Sequence, residues 1–218
     1  MKKEYSPIIY LVLSIIFWPA TAISTETKPA LDETQTEIEY YAIFMEGKKV
    51  GHAVESRTVS NGKVTTSEKA VITVSRANVA VTVEMTETSI ETTAGEPLGF
   101  EAIQQLGAMV MKVTGTVDKK GLVNVTNTSM GTEQKSTLEW PQGAVLAEGL
   151  RLQSLKKGLK EGTQYTIKIF SPGMLQSIDA QVRIGPKQNV DLLGRIVTLI
   201  EVMTTLDMPD AGQVTSTS

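Results

Sequence analysis

The chain has one histidine, His52, and no cysteine. That pair of facts removes most of the catalytic repertoire. Without a thiol there is neither a cysteine nucleophile nor a thiolate zinc site. A two-histidine metal site needs a second imidazole. A serine triad would have to use His52 as its base, and no G-x-S-x-G elbow accompanies it. His52 has the strand parity of Val50 and Val54, so its expected role is that of a partly buried, hydrogen-bonded strand residue. Carboxylates are plentiful, with 24 Asp and Glu, but glycoside chemistry needs two of them held face to face. Glu84 and Glu87 are expected on opposite faces of one strand, as are Glu68 and Glu91 by simple register, all on solvated surfaces. The glycines stand singly at turns and cradle no phosphate, and no calcium-loop pattern occurs. No catalytic, metal or cofactor-binding residue is therefore expected.

The methionines are the second feature with chemical content. Met85, Met109 and Met111 fall on the apolar faces of candidate strands, with Val83 and Val113 beside them. Methionine is a soft gap-filler and is over-used where a surface accommodates varied apolar ligands. The expected role of the methionines is to fill space beneath a helix. The alternative is that these five residues line an apolar groove on the concave face of the sheet.

The elements that position these residues follow from period-two alternation. From Ile38 the chain reads as strand, polar turn and strand. Glu46-Gly47-Lys48-Lys49 and Asn61-Gly62 are turn signals, the second being the strongest short hairpin signature. Val79, Val81, Val83 and Met85 alternate with Ala80, Thr82, Glu84 and Thr86, as in a half-buried antiparallel strand. Further strands are expected over 99–106, 108–117, 122–126 and 132–139. Turns are expected at Ser171-Pro172-Gly173-Met174 and at Gly185-Pro186-Lys187-Gln188. One helix is expected over Ala144–Lys157, with Leu146, Leu150, Leu152 and Leu155 on its apolar side and Gly158 as C-cap. The fold class is mainly β: a large curved antiparallel sheet, half-barrel-like, of about ten strands with one covering helix.

The N-terminus reads as an export signal. Lys2 and Lys3 precede an apolar run over 8–18, and Ala20-Thr21-Ala22 supplies a cleavage site. The expected organisation is a signal peptide over 1–22, a flexible leader over 23–37 and a single β domain over 38–218 that stops short of its natural end. The location is periplasmic or extracellular, with membrane contact only through the signal peptide. Removing the signal peptide moves the formal charge from −3 to −4, because Lys2, Lys3 and Glu4 leave together. A mildly acidic chain gains nothing from counterion release, so nucleic acid is not an expected partner.

The run from Tyr41 to His52, an aromatic strand leading into Gly47-Lys48-Lys49-Val50-Gly51-His52, resembles the start of a β-rich domain of exported bacterial proteins. In many members that domain precedes a transglutaminase-like (papain-type) domain. From Leu150 to Ile169 the chain is also similar to curved-sheet periplasmic domains of unknown function. The resemblance implies a non-catalytic interaction or spacer domain, with the catalytic residues in a downstream domain absent from this chain. The longer parent protein would then be a transglutaminase-like or cysteine-protease-like enzyme. The alternative is a periplasmic carrier or sensor of apolar, lipid-like ligands on the concave face of the sheet.

Overall fold

The computed structural model describes residues 34–76, 79–192, 194–208 and 212–218. The expected signal peptide, and the leader up to residue 33, lie outside these residues. The fold is mainly β, with twelve strands in two antiparallel sheets and one helix among the described residues.

The first sheet is a meander of eight strands in sequence order. They are β1 (Gln35–Met45), β2 (Lys48–Ser60), β3 (Lys63–Arg76), β4 (Val79–Thr92), β5 (Pro97–Leu106), β6 (Met109–Val117), β7 (Leu122–Ser129) and β8 (Thr132–Glu139). Its first strand begins at Gln35, so the last residues of the expected leader are paired backbone, opposite Thr58 and Val59 in the case of Thr36 and Gln35. Three hairpins turn on two residues with positive φ: Glu46-Gly47, Asn61-Gly62 and Met130-Gly131. This geometry matches the right-handed twist of the flanking strands.

The second sheet holds β9 (Gln164–Ser171), β10 (Gln176–Leu192), β11 (Arg195–Met208) and β12 (Gly212–Thr217), in the order β12-β11-β10-β9. Ile178, Ala180, Val182 and Ile184 are buried on one face of β10, while Asp179, Gln181 and Arg183 are exposed on the other. The expected turn at Gly185-Pro186 is not one. Strand β10 runs straight through it, with a register shift between Ile184 and Lys187. Proline lacks an N–H for the ladder, and a bulge is where a strand tolerates that loss. The second sheet was not anticipated as separate from the first.

The sheets do not close into one barrel. They meet where Phe170 of β9 enters a cluster with Phe100, Ala102, Val113, Val123 and Val125 of the eight-stranded sheet. The Phe170 ring lies 5.2 Å from that of Phe100 and 4.6 Å from that of Trp140. The link between the sheets also protects an edge. Val145 donates to the carbonyl of Lys168 and accepts from Phe170 N–H, forming a short parallel bridge on the free side of β9.

Helix α1 (Ala147–Lys157) is three residues shorter than expected, and its leucines supply only part of the docking face. Leu155 is exposed, whereas Glu148, Gly149 and Ser154 are buried. The helix thus buries a mixed side, with Leu146 at its start in the core cluster and Leu150 and Leu152 half-buried. It plugs one end of the molecule by backbone approach and by charge. Gly149 sits against Gly95, where an added Cβ would stand 3.0 Å from the Gly95 carbonyl and 2.9 Å from Val145 Cβ. The glycine that weakens the sequence argument for a helix is what lets this helix approach so closely.

Candidate functional site

Directly opposed residues of an antiparallel pair project from the same face, with Cβ atoms about 5 Å apart. The registers therefore define layers across the inner wall of the eight-stranded sheet. At the end away from α1, the layer is Ile43, Gly51, Ile72, Val83, Leu106 and Met109. The next contains Tyr41, Ala53, Ala70, Met85, Gln104 and Met111. The third is Glu39, Glu55, Glu68, Glu87, Ala102 and Val113. Arg57, Thr66, Ser89 and Phe100 follow. Strand β4 displays the gradient by itself, as Val83, Met85, Glu87, Ser89 and Glu91 run from apolar to acidic along one face.

All five candidate lining residues share this wall. Val83 and Val113 are buried, Met85 and Met111 are half-buried, and Met109 is 44% exposed. Ile43, Ala53, Ala70 and Ile72 pack with Tyr41, Val74 and Met85, all from this one sheet. An open groove of about 600 Å³ lies at the same end, bounded by Met109, Val110, Lys112 and Met130. It takes in Met109 but not the other four, because Val110 and Lys112 face outward. Exposed apolar side chains crowd the hairpin tips here: Phe44, Met45, Val79, Leu106, Met109 and Met130.

His52 is exposed on the outer face of β2, opposite Ala42 and Val71. The partly buried position expected for it is corrected. Glu84 and Glu87 are on opposite faces as expected, and Glu84 pairs with Lys69 on the outside at 3.1 Å. Glu68 and Glu91 are not on opposite faces. Val64 lies opposite Glu91, and two-residue periodicity carries Val64 and Glu68 to the same side. Nor are the inner carboxylates part of a solvated surface.

Glu39, Glu55, Glu68 and Glu87 are direct cross-strand neighbours on four consecutive strands. Burial pushes Glu55 up to about 7, with the charge of Glu39 adding to it and Arg57 opposing it. Glu68 is held well above the usual carboxylate range by burial and by Glu55 and Glu87 on either side. Burial also pushes Glu87 up to about 7, opposed by a hydrogen bond from the backbone N–H of Gly173 in the β9–β10 turn. Tyr41 donates its hydroxyl to Glu39, and burial together with that bond and the nearby carboxylates pushes its pKa up. Like charges in a row this close cannot all ionise cheaply.

Deeper in, the charges are paired. The Glu148 carboxylate accepts from Arg57 at 2.8 and 3.0 Å and from Arg151 at 2.9 and 2.7 Å. Burial raises its pKa, but these two guanidiniums outweigh burial and hold it below the ordinary value. Glu91, fully buried, accepts from the backbone N–H groups of Glu148 and Gly149 at 2.6 and 2.9 Å. Leu146 at the helix N-cap offers no side-chain bond, so a carboxylate from β4 takes over the capping role. Among the described residues, no group of three or more metal-ligating side chains is placed to hold an ion.

The carboxylate row was partly legible in the sequence. Asn61-Gly62 as a two-residue turn pairs Ser60 with Lys63, and equal steps back from it pair Glu55 with Glu68. The extension to Glu39 was not legible, because a register shift between Ile43 and Phe44 moves β1 by one residue.

No protein-family model matches the chain, and no curated protein matches it. Among solved structures, it is similar to a β-barrel-like protein of a domain of unknown function, DUF1849, from Brucella abortus. The TM-score is 0.55 at 12% identity, over 84% of this chain and 85% of that one. At that identity the likeness concerns the fold, a β-rich domain of the barrel-like kind.

Proposed function

We propose that this chain is an exported, non-catalytic carrier or sensor of apolar ligands, held on the inner wall of the eight-stranded sheet. One observation supports this above the others. The registers make Val83, Met85, Met109, Met111 and Val113 one continuous face, and at the end away from α1 the cluster around Met85 draws, among the described residues, on this sheet alone. Phe170 of the second sheet fills the space over β5–β7 but is not part of the cluster over β1–β4. A half-covered apolar wall with a few polar groups further in is the usual make-up of a small-molecule site.

Native mass spectrometry of the full chain purified from membranes, together with uptake of the neutral reporter N-phenyl-1-naphthylamine, tests the reading. A co-purified lipid-sized adduct, or reporter binding near the micromolar range, supports it. Met85→Asp/Met111→Asp should weaken reporter uptake about tenfold. A ligand-free spectrum with no uptake overturns it.

The second reading is an interaction domain in front of a transglutaminase-like domain. It is favoured by the edge strand β1, whose outer face leaves Ile38, Tyr40 and Phe44 exposed beside a ladder edge unpaired among the described residues. Reading the coding sequence beyond Ser218 decides it. An in-frame transglutaminase-like domain supports this reading, and an immediate stop codon overturns it.

A further inference from the structure

The inner wall ends its apolar portion on carboxylates, and that junction narrows the class of ligand. Met85 and Glu87 are successive inward residues of β4, as are Ala70 and Glu68 on β3 and Ala53 and Glu55 on β2. Successive inward residues are about 7 Å apart along a strand. A ligand lying along the wall thus meets hydrocarbon first and a row of four carboxylates next. The row spans three strand spacings, about 14 Å.

A second feature points the same way. Thr66 projects from the same face of β3, one inward position beyond Glu68, and is only 6% exposed. Its hydroxyl oxygen has no hydrogen-bond partner. Its cross-strand neighbours are already engaged, Arg57 by Glu148 and Ser89 by Glu91. A buried hydroxyl without a partner is costly, and a hydrogen-bonding head group reaching past Glu68 would satisfy it.

We propose that the ligand is a single-chain amphiphile with a cationic amine head, its chain along Val83, Met85 and Met111 and its head among Glu55, Glu68, Glu87 and Thr66. This rests on the apolar-carrier reading and specifies its ligand. An ammonium donates hydrogen bonds in several directions and relieves the mutual repulsion of the row. A carboxylate head would add a further negative charge to four acidic side chains. A metal ion is disfavoured by the spread of the carboxylates, which form a line and not a cage.

The test compares hexadecylamine, hexadecanol and hexadecanoate at pH 7.5, below their micelle concentrations, by displacement of N-phenyl-1-naphthylamine from the full chain. The amine should bind about tenfold more tightly than the alcohol, and the carboxylate more weakly than either. Glu68→Gln/Glu87→Gln should shrink the amine-to-alcohol ratio to about threefold or less. Glu84→Gln, on the outer face, should leave the ratio as it is. Circular dichroism melting of each variant confirms that it folds. Equal binding of amine and alcohol, or tighter binding of the carboxylate, overturns the head-group proposal while the carrier reading stands. A ratio unmoved in the double variant also overturns it. Failure of all three compounds and of the reporter overturns both.

Discussion

Replacing Glu148 with Ala should lower the unfolding free energy by about 3–5 kcal/mol, the range for removing one partner of a buried ion pair. The side chain is 1% exposed and takes bonds from two guanidiniums. Its loss leaves Arg57, itself only 17% exposed, with its remaining pairing to the exposed Glu37 at 3.4 Å. Arg151, 30% exposed, can turn to water. The pair joins β2 to α1 across 91 positions of sequence, so the loss falls on tertiary structure and not on the helix alone. Chemical denaturation of the single variant measures it. Arg57→Met/Glu148→Met should recover at least half of the loss, because a matched apolar pair carries no desolvation cost. A loss under about 1 kcal/mol for Glu148→Ala would mean that α1 is held by the Gly95–Gly149 approach and the Glu91 cap alone.

The second large effect is that this protein should be more stable at pH 5 than at pH 8. Glu55 and Glu87 are pushed up to about 7, and Glu68 well above the usual range. The folded chain therefore binds protons that the unfolded chain has already released. From the ordinary carboxylate value of 4.5 up to about 7, stability falls as pH rises. Glu148 has the opposite sign. Its lowered value adds stability above the ordinary carboxylate range, lost as pH falls through its folded-state value. The optimum lies between these two windows. One carboxyl displaced from 4.5 to about 7 is linked to roughly 3 kcal/mol without solvent screening. Thermal unfolding across pH 5 to 8 measures it, and Glu68→Gln should raise the melting temperature at pH 8 while gaining little at pH 5. A melting temperature that is flat or rises with pH would contradict the buried row.

The sequence carried the strands because period two survives in single segments such as Val79 to Thr86. It carried the turns because Asn61-Gly62 and Gly47 are chemically suited to positive φ. Pro186 misled for a local reason: proline signals a turn in sequence, while a bulge accommodates it within β10. The helix misled for a global one. Leucines at helical spacing imply a wholly apolar docking face, but α1 docks also through Glu148 and Gly149, whose partners on β2, β4 and the 93–96 turn are far away in sequence. The carboxylate row needs four strands in register at once. No window of sequence contains that, and a one-residue shift at Ile43 hides its outermost member.

The strand order of the larger sheet has a kinetic consequence. Every pairing from β1 to β8 joins chain neighbours, so each strand closes only a short loop before it is rewarded. Such a sheet has low contact order and can zip hairpin by hairpin. The long-range fastenings include Arg57 to Glu148, Glu91 to the start of α1, Phe170 to the Phe100 cluster, Gly173 to Glu87 and Val145 to Ile169. They can engage only after the meander has formed. Substitutions there should accelerate unfolding and leave the refolding rate nearly unchanged, which makes the end sealed by α1 the late-forming part of the molecule.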